Sequence, residues 1–270
     1  MDLTEKTLES REVYRGRILR VREDRVLLPN GQEAQREIVE HPGGVGILEL
    51  DADGCAVMVR QYRYAFGQTL LEIPAGITAV IGGGGKTSLL RALGRELSRQ
   101  HRVVLCTTTK IYPFPDLPCA RTAAELNALA GEPLICTGTD APGGKLTVPP
   151  VSLTELARIY DYVLVEADGS AGRPMKAHAA HEPVIPPEAN QTILVLGASG
   201  FGKPIAAAAH RPALYAEKLG VTQDTIVTPE LAARLINLEG FHTRVLVNQA
   251  QTQRELALAR ELARSEERRV

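Results

Sequence analysis

Residues 79–88 combine the residue types of a phosphate-binding loop at nearly the standard spacing. The stretch reads Ala-Val-Ile-Gly-Gly-Gly-Gly-Lys-Thr-Ser, and a helical pattern follows it. Glycines let backbone N–H groups turn toward an anion, and a helix N-terminus adds a favourable dipole. Lys86 is expected between the β- and γ-phosphates, and the Thr87 hydroxyl on Mg²⁺. The predicted nucleotide-binding residues of the loop are Gly82, Gly83, Gly84, Gly85, Lys86, Thr87 and Ser88.

The loop departs from the pattern G-x-x-x-x-G-K-[ST] at one position. Val80 stands where the first glycine is usual. The spacing also resembles the variant loop of dimeric, ParA-like NTPases, although Ile81 replaces the extra lysine of that class. This variant leads us to expect a homodimer. The alternative is a glycine-rich turn that binds no ligand.

Two carboxylates follow an apolar strand further along the chain. Glu166 and Asp168 come directly after residues 161–165, and Gly169 follows them. A P-loop enzyme holds Mg²⁺ at such a strand end, directly or through water. We therefore predict Lys86, Glu166 and Asp168 as catalytic residues and Thr87, Asp168 and Glu166 as metal-side residues, with Glu166 sharing the metal or orienting water. The alternative is a solvated strand end.

Two further strand ends carry polar residues. Thr108 and Lys110 follow the strand at 103–107, where they could contact a γ-phosphate, although threonine is also a good strand former. Asn248 ends the strand 243–248, in the place of the guanine-reading motif Asn-Lys-x-Asp. Only the asparagine of that motif is present, so guanine specificity is not supported. The expected cofactors are Mg²⁺ with ATP or GTP, and the base stays open.

A second glycine-rich stretch and two loop histidines are weaker candidates for ligand binding. Residues 197–203 match G-x-x-x-x-G-K, but Pro204 follows and supplies neither a hydroxyl nor an N–H group. His178 and His181 lie on the loop after Asp168, where metal ligation is less expected than solvent exposure or hydrogen bonding.

The elements that must position these residues form an α/β pattern over 77–270. Near-continuous apolar strands alternate with helices, which indicates a parallel sheet with helices on both faces. Ligands of such sheets bind at the carboxyl ends of the strands. The predicted strands are 78–81, 103–107, 133–136, 161–167, 191–196 and 243–248. The predicted helices are 86–100, 122–130, 152–159, 212–219, 229–237 and 250–264.

Residues 1–76 have a different pattern, which predicts a small antiparallel β segment. Strands Glu12–Leu28 and Gln32–Glu40 flank Pro29-Asn30-Gly31, and strands Val45–Leu50 and Cys55–Gln61 flank a second turn. We therefore divide the chain into residues 1–76 and 77–270.

Composition excludes several classes of protein. The formal net charge of −1 over 270 residues gives no electrostatic case for nucleic acid or an anionic membrane. The sequence shows no signal peptide and no apolar run that could span a bilayer. The four cysteines form no CxxC pair, which favours reduced thiols and a cytoplasmic location.

Residues 77–270 together resemble the YqeC-type family of selenium-dependent hydroxylase accessory proteins. The resemblance implies a P-loop NTPase domain with a role in maturing a molybdenum hydroxylase, which would be the client protein. The family usually has more chain before its first strand, so we expect truncated ends. The matching stretches are Gly82–Leu90, Thr107–Tyr112, Leu164–Lys176, Glu182–Pro186, Gly197–Pro204, His210–Pro212 and Thr228–Leu231.

Residues 1–76 resemble the front half of a Nudix ADP-ribose pyrophosphatase. The matching stretches are Gly43–Val45, Val59–Arg63 and Leu71–Gly76. That family continues into a catalytic helix with clustered glutamates, of which only Arg95-Glu96-Leu97 is echoed here. Without those carboxylates, Mg²⁺-dependent pyrophosphate cleavage is expected to be lost. We interpret the chain as a fusion of a truncated Nudix front with a truncated P-loop domain.

The sequence therefore favours a cytoplasmic, Mg²⁺-dependent NTP-hydrolysing accessory protein. A kinase that uses the same site is a related alternative. A Nudix-type ADP-ribose hydrolase, expected to be inactive, and a non-catalytic nucleotide-binding module are the alternatives from other classes.

Overall fold

The computed structural model describes residues 4–15, 20–40, 44–47, 61–63, 68–70 and 76–267. The chain divides into two compact units, of which the second contains 45–47 and 76–267 among these residues. The sequence-based boundary between residues 76 and 77 stays a prediction.

The first unit contains a three-stranded antiparallel sheet, β1 (Lys6–Arg15), β2 (Arg20–Leu27) and β3 (Glu33–Glu40), in that order. The prediction of one strand over Glu12–Leu28 is wrong, because the chain reverses after β1 and Arg15 pairs with Arg20. Gly16, a residue typical of turns, lies between the two strands, and the prediction did not use this signal.

The predicted turn at Pro29-Asn30-Gly31 is confirmed. Gly31 has φ of 81°, and Leu27 pairs with Glu33 across the turn. The second predicted hairpin lies mostly outside the described residues. Around it the structure has three short strands, β4 (Gly44–Ile47), β5 (Gln61–Arg63) and β6 (Gln68–Leu70).

The second unit is built on seven parallel strands in the order β17-β15-β7-β13-β8-β10-β9, with β4 beside β17 at the edge. This arrangement confirms the predicted α/β class. Near-continuous apolar sequence gives strands that are buried along their whole length, as in β8 and β15. The parallel strands are β7 (Gly76–Gly82), β8 (Val103–Thr107), β9 (Cys119–Ala120), β10 (Leu134–Thr137), β13 (Tyr162–Glu166), β15 (Gln191–Gly197) and β17 (Arg244–Asn248).

Two-residue strand pairs lie outside this sheet, and the sequence did not predict them because they are too short to show a period. They are β11 (Asp140–Ala141) with β12 (Lys145–Leu146), and β14 (Met175–Lys176) with β16 (Ala209–His210).

Helices cover both faces of the sheet. Val104 and Cys106 of β8 pack in one core cluster with Leu126 and Leu156, whereas Leu105 between them contacts the opposite helix α1. The helices are α1 (Lys86–Leu97), α2 (Ala123–Ala128), α3 (Leu153–Ile159), α4 (Ile205–Ala208), α5 (Pro212–Leu219), α6 (Pro229–Glu239) and α7 (Gln253–Glu267).

Several predicted helix bounds differ from the structure by one to three residues, and two of them have a clear local cause. Residues 98–100 form a turn, so α1 ends at Leu97 rather than at residue 100. The last helix begins at Gln253 rather than at residue 250 because Thr252 caps it. The Thr252 hydroxyl accepts from the N–H group of Glu255 at 3.2 Å, and the Glu255 carboxylate accepts from the N–H group of Thr252 at 2.9 Å. Of the helices in the described part of the chain, none is long and apolar enough to cross a membrane.

Candidate functional site

The loop between β7 and α1 requires glycine for reasons of backbone packing. Gly82, Gly84 and Gly85 have φ of 96°, 72° and 108°, a region that side chains disfavour. Gly83 has an ordinary φ, but a Cβ atom there would lie 2.5 Å from the carbonyl oxygen of Arg173. The surrounding protein alone therefore explains the four glycines.

Three of these glycines already donate their N–H groups within the protein. Gly82 donates to Asp168 Oδ2 at 2.9 Å, Gly83 to the carbonyl of Val195 at 2.9 Å and Gly84 to that of Arg173 at 3.0 Å. The first turn of α1 has no internal acceptors for its N–H groups. Within the described residues, no side chain caps this end, and its first turn holds no acid. The anion-attracting part of the loop is therefore the start of α1.

Lys86 is buried, with only 3% of its surface exposed, and its ammonium has a full set of partners. Nζ donates to the carbonyl of Gly82 at 2.7 Å and to Ser170 Oγ at 3.1 Å. It also lies 3.1 Å from Asp168 Oδ1 and 3.9 Å from Glu166 Oε1. The structure thus brings together the three residues that the sequence predicted as catalytic.

Asp168 is fully buried and lies at the centre of an ion network. Its Oδ2 atom accepts from Gly82, lies 2.7 Å from His178 Nε2 and lies 3.1 Å from Lys176 Nζ. Burial alone would raise the pKa of Asp168, but the His178 hydrogen bond and the charges of Lys86 and Lys176 lower it to about 2. The carboxylate is therefore ionised, and its Oδ2 atom is occupied by protein donors. Its buried Oδ1 atom has no hydrogen-bond partner and lies 3.1 Å from Lys86 Nζ.

His178 connects this carboxylate to α6. Its Nδ1 atom lies 2.6 Å from Glu239 Oε2, so both ring nitrogens face carboxylates. Burial would lower the pKa of His178, but the hydrogen bonds to Asp168 and Glu239 raise it overall. This geometry suits the doubly protonated imidazolium, because each nitrogen can then donate a proton. Lys218 pairs with the other oxygen of Glu239 at 2.6 Å.

Lys176 extends the network on its other side. Its ammonium lies 2.8 Å from Glu182 Oε2, and Arg211 Nε donates to Glu182 Oε1 at 2.7 Å. Each charged group of the interior is thus matched by an opposite charge, which burial requires.

Glu166 and Thr87 form a second, more open part of the site. The Thr87 hydroxyl is exposed and donates to Glu166 Oε2 at 2.7 Å. Burial is the main cause that raises the pKa of Glu166 above its usual value, against the lowering effects of Lys86 and Thr87. No group of three or more His, Cys, Asp or Glu side chains in the described parts of the chain could hold a metal ion alone. One hydroxyl and one carboxylate suit Mg²⁺ that is also held by phosphates and water.

The remaining predicted residues surround the loop in different ways. The Thr108 hydroxyl donates to the carbonyl of Val184 at 2.7 Å, and Lys110 is exposed. Asn248 Nδ2 donates to the carbonyl of Gly84 at 2.9 Å, so this side chain braces the loop directly. A Cβ atom on Gly84 would meet the backbone of Gly197, which places the second glycine-rich loop against the first.

Sequence reasoning missed several members of the ion network: Ser170, Glu182, Arg211, Lys218 and Glu239. Nothing in the sequence indicated that Glu239 contacts His178, because Glu239 ends a helix 61 residues further along the chain. Glu182 and Arg211 were within family-like stretches, but nothing in their spacing indicated a common partner.

Comparison with known proteins identifies the family of the second unit. The model of the YqeC protein family matches residues 78–213. A protein named Uncharacterized protein YqeC, from Escherichia coli (strain K12), is 34% identical over 181 residues, which are 63% of this chain and 71% of the relative. The chain belongs to the YqeC family. The match with the YqeC model contains Lys86, Glu166, Asp168 and His178 and ends before Glu239 and Asn248.

The N-terminal residues are similar to a different family. A nucleoside diphosphate sugar hydrolase N-terminal domain matches residues 5–39. The ADP-ribose pyrophosphatase of Bacillus subtilis (strain 168) is 40% identical over 74 residues, 27% of this chain and 40% of the relative. The methanol dehydrogenase activator of Bacillus methanolicus is 43% identical over 72 residues, 27% of this chain and 39% of the relative. The chain spans less than half the length of these relatives. Both resemblances inferred from the sequence are confirmed.

Proposed function

We propose that the chain binds a nucleoside triphosphate with Mg²⁺ at the start of α1 and hydrolyses it, as a nucleotide-related accessory protein. The observation that carries this proposal is a buried Lys86 at the uncapped N-terminus of α1. Beside it, Thr87 of α1 contacts Glu166 at the end of β13. Membership of the YqeC family and the N-terminal match to a nucleoside diphosphate sugar hydrolase support a nucleotide-related role.

The phosphate groups would bind to the first-turn N–H groups of α1 and to Lys86. The ammonium of Lys86 already has two carboxylates, a carbonyl and the Ser170 hydroxyl as neighbours. Ser170 is the uncharged side-chain partner, and exchanging it for a phosphate oxygen loses the least electrostatic energy. A triphosphate is therefore expected to displace the Ser170 contact.

Mg²⁺ would be held by Thr87 and Glu166 together with the phosphates. When bound, it would neutralise charge that develops on the transferred phosphoryl group. Of the two acids predicted as metal-side residues, Glu166 contacts Thr87. The Oδ2 atom of Asp168 is occupied by Gly82, Lys176 and His178, and its Oδ1 atom is fully buried 3.1 Å from Lys86 Nζ. We accordingly propose Asp168 as the residue that positions Lys86, and Glu166 as the residue that faces metal and water.

The biological step is proposed from the family resemblance alone. In it, NTP hydrolysis would assist maturation of a selenium-dependent molybdenum hydroxylase, the client protein. A homodimer in which two such sites act together is part of the same proposal.

Thermal unfolding of the full chain with Mg²⁺ and ATP, GTP or ADP-ribose tests the binding proposal. Ligand at a hundred times its dissociation constant stabilises a protein by about 2.7 kcal/mol. We expect a triphosphate to produce this shift, and Thr87→Val and Lys86→Met to remove it. Ser98→Ala is the matched control, since Ser98 is a hydroxyl at the far end of the same helix that donates to the carbonyl of Arg95.

A triphosphate shift that persists in Thr87→Val and Lys86→Met would show that the site is elsewhere. A shift with ADP-ribose alone would favour the Nudix-type alternative. Release of free phosphate separates hydrolysis from a kinase, which would transfer the phosphoryl group to an acceptor. Tight binding without turnover would indicate a binding module.

A further inference from the structure

Cys119 and Cys136 lie directly opposite each other on neighbouring parallel strands. The two residues are register partners in the pairing of β9 with β10, and β9 is the last strand at its edge of the sheet. Neighbouring strands are about 4.8 Å apart. Disulfides accept Cα separations of roughly 4.4 to 6.8 Å. The backbone therefore holds these cysteines at a spacing that a disulfide can bridge.

The two thiols differ in environment. Cys136 is buried, whereas Cys119 is only partly buried at the sheet edge. The neighbouring Cys136 thiol is the main cause that lowers the pKa of Cys119 to about 7, and Arg121 adds to it. Burial and the carboxylates of Glu125 and Asp140 act in the opposite direction. The proximity of Cys119 and burial raise the pKa of Cys136.

Cys106 provides a contrast within the same sheet. It is fully buried in the core beside Val104 and Leu126, and burial raises its pKa to about 12. A thiol of this kind is inert, because the thiolate is the reactive form. Among the described cysteines of the sheet, Cys119 is thus the one whose pKa is lowered, whereas the pKa values of Cys136 and Cys106 are raised.

We propose that Cys119 and Cys136 form a redox-active dithiol site whose substrate is a hydroperoxide. The Cys119 thiolate attacks the terminal oxygen of the peroxide, so an S–O bond forms, the O–O bond breaks and the leaving oxygen takes up a proton to form water or an alcohol. The Cys136 thiol then attacks the sulfenic sulfur, loses its proton and releases water. The dithiol is oxidised by two electrons, and the peroxide is reduced.

The site is separate from the proposed nucleotide site, since β8 and β13 lie between β10 and β7 in the sheet. Oxidation would join the two-residue strand β9 covalently to β10. The substrate enters at the sheet edge, where Cys119 is partly exposed.

The test is mass-spectrometric peptide mapping of the full chain after graded hydrogen peroxide and alkylation of free thiols. We expect loss of alkylation at Cys119 and Cys136 together, with a disulfide-linked peptide pair and Cys106 unchanged. In Cys136→Ser, a sulfenic acid at Cys119 should accumulate and react with dimedone. In Cys119→Ser, Cys136 should stay reduced.

Alkylation kinetics separate reactivity from simple exposure. Cys136→Ala removes the hydrogen-bond donor, whereas Cys136→Ser keeps one. We expect Cys136→Ala to slow iodoacetamide alkylation of Cys119 at pH 7 by roughly fivefold. The variant has less Cys119 thiolate at this pH, and the higher nucleophilicity of that thiolate offsets only part of the loss. Cys136→Ser should react at nearly the original rate. Oxidation of Cys119 to a disulfide with Cys55 or with a second chain, or equal rates in both variants, would overturn the proposal.

Discussion

Ion pairs in the N-terminal sheet and around Lys86 join oppositely charged side chains at similar distances but in opposite surroundings. Arg11 pairs with Glu23 at 2.7 Å on the sheet surface, where the arginine side chain is 74% exposed. Asp168 pairs with Lys86 and Lys176 at 3.1 Å, where the three side chains are at most 2% exposed. Distance alone does not distinguish the two regions.

The surroundings decide what each pair contributes. Exposed pairs are worth about 0 to 1 kcal/mol because water and salt screen them. Removing one partner of a buried pair costs about 3 to 5 kcal/mol because the other charge is left without compensation. The network around Asp168 therefore holds the loop in place, whereas the exposed pair of Arg11 and Glu23 mainly keeps the surface of the N-terminal sheet polar.

Asp168→Asn should produce the largest loss. The change leaves Lys86, Lys176 and His178 without their common anion, and we expect a loss of about 3 to 5 kcal/mol in the free energy of unfolding. Urea unfolding at pH 7 measures it. A loss below 1 kcal/mol would remove the distinction between the two regions.

His178→Gln tests the network through pH. The folded-state pKa of His178 is raised, so its contribution to stability is complete below the unfolded value of about 6.5 and is lost as pH rises through the folded pKa. Asp168 has its pKa lowered to about 2, so its contribution is present above about 3.9 and is lost as pH falls toward 2. We expect His178→Gln to cost about 1 to 3 kcal/mol at pH 6 and less at alkaline pH.

Urea unfolding of wild type and of His178→Gln across pH 5 to 9 measures this change, because the range lies on both sides of the unfolded histidine pKa of about 6.5. His181→Gln is the matched control, because His181 is an exposed histidine on the same loop. A difference between wild type and His178→Gln that grows as pH rises would mean that His178 is neutral in the folded protein, and a difference that does not change with pH would mean that its pKa is the same folded and unfolded.

Asp116→Asn tests an intermediate case. Asp116 forms ion pairs with Arg91 and Arg95 of α1, both at 2.6 Å, but the three side chains are 30 to 47% exposed. We expect a loss of about 0.2 to 1 kcal/mol, which salt should reduce. Unfolding at low and high ionic strength measures the change, and a loss above 2 kcal/mol would show that shared surface pairs behave like buried ones.

Glu23→Gln should have the smallest effect. Its partner Arg11 is mostly in water, so we expect a change within about 0.5 kcal/mol. Thermal unfolding of the full chain checks it, and a loss similar to that of Asp168→Asn would contradict the comparison.

The sequence predicted the local parts of the site. Lys86 and Thr87 follow from the loop, and Glu166 follows from its position at a strand end. The sequence could not predict the network around Asp168. His178, which contacts Asp168, also contacts Glu239, and that residue is 61 positions away in the chain. Strands β14 and β16 could not be predicted either, because two residues are too few to show a period.

The four loop glycines have a consequence for how variants of this protein should be judged. Their backbone angles and close neighbours leave no space for a side chain, whether or not a nucleotide binds. In a saturation mutagenesis screen for abundance, these positions should tolerate almost no replacement, even in a chain that has lost its ligand. Retained glycines in a variant would therefore report a folded domain, and the exposed Thr87 would report a working site.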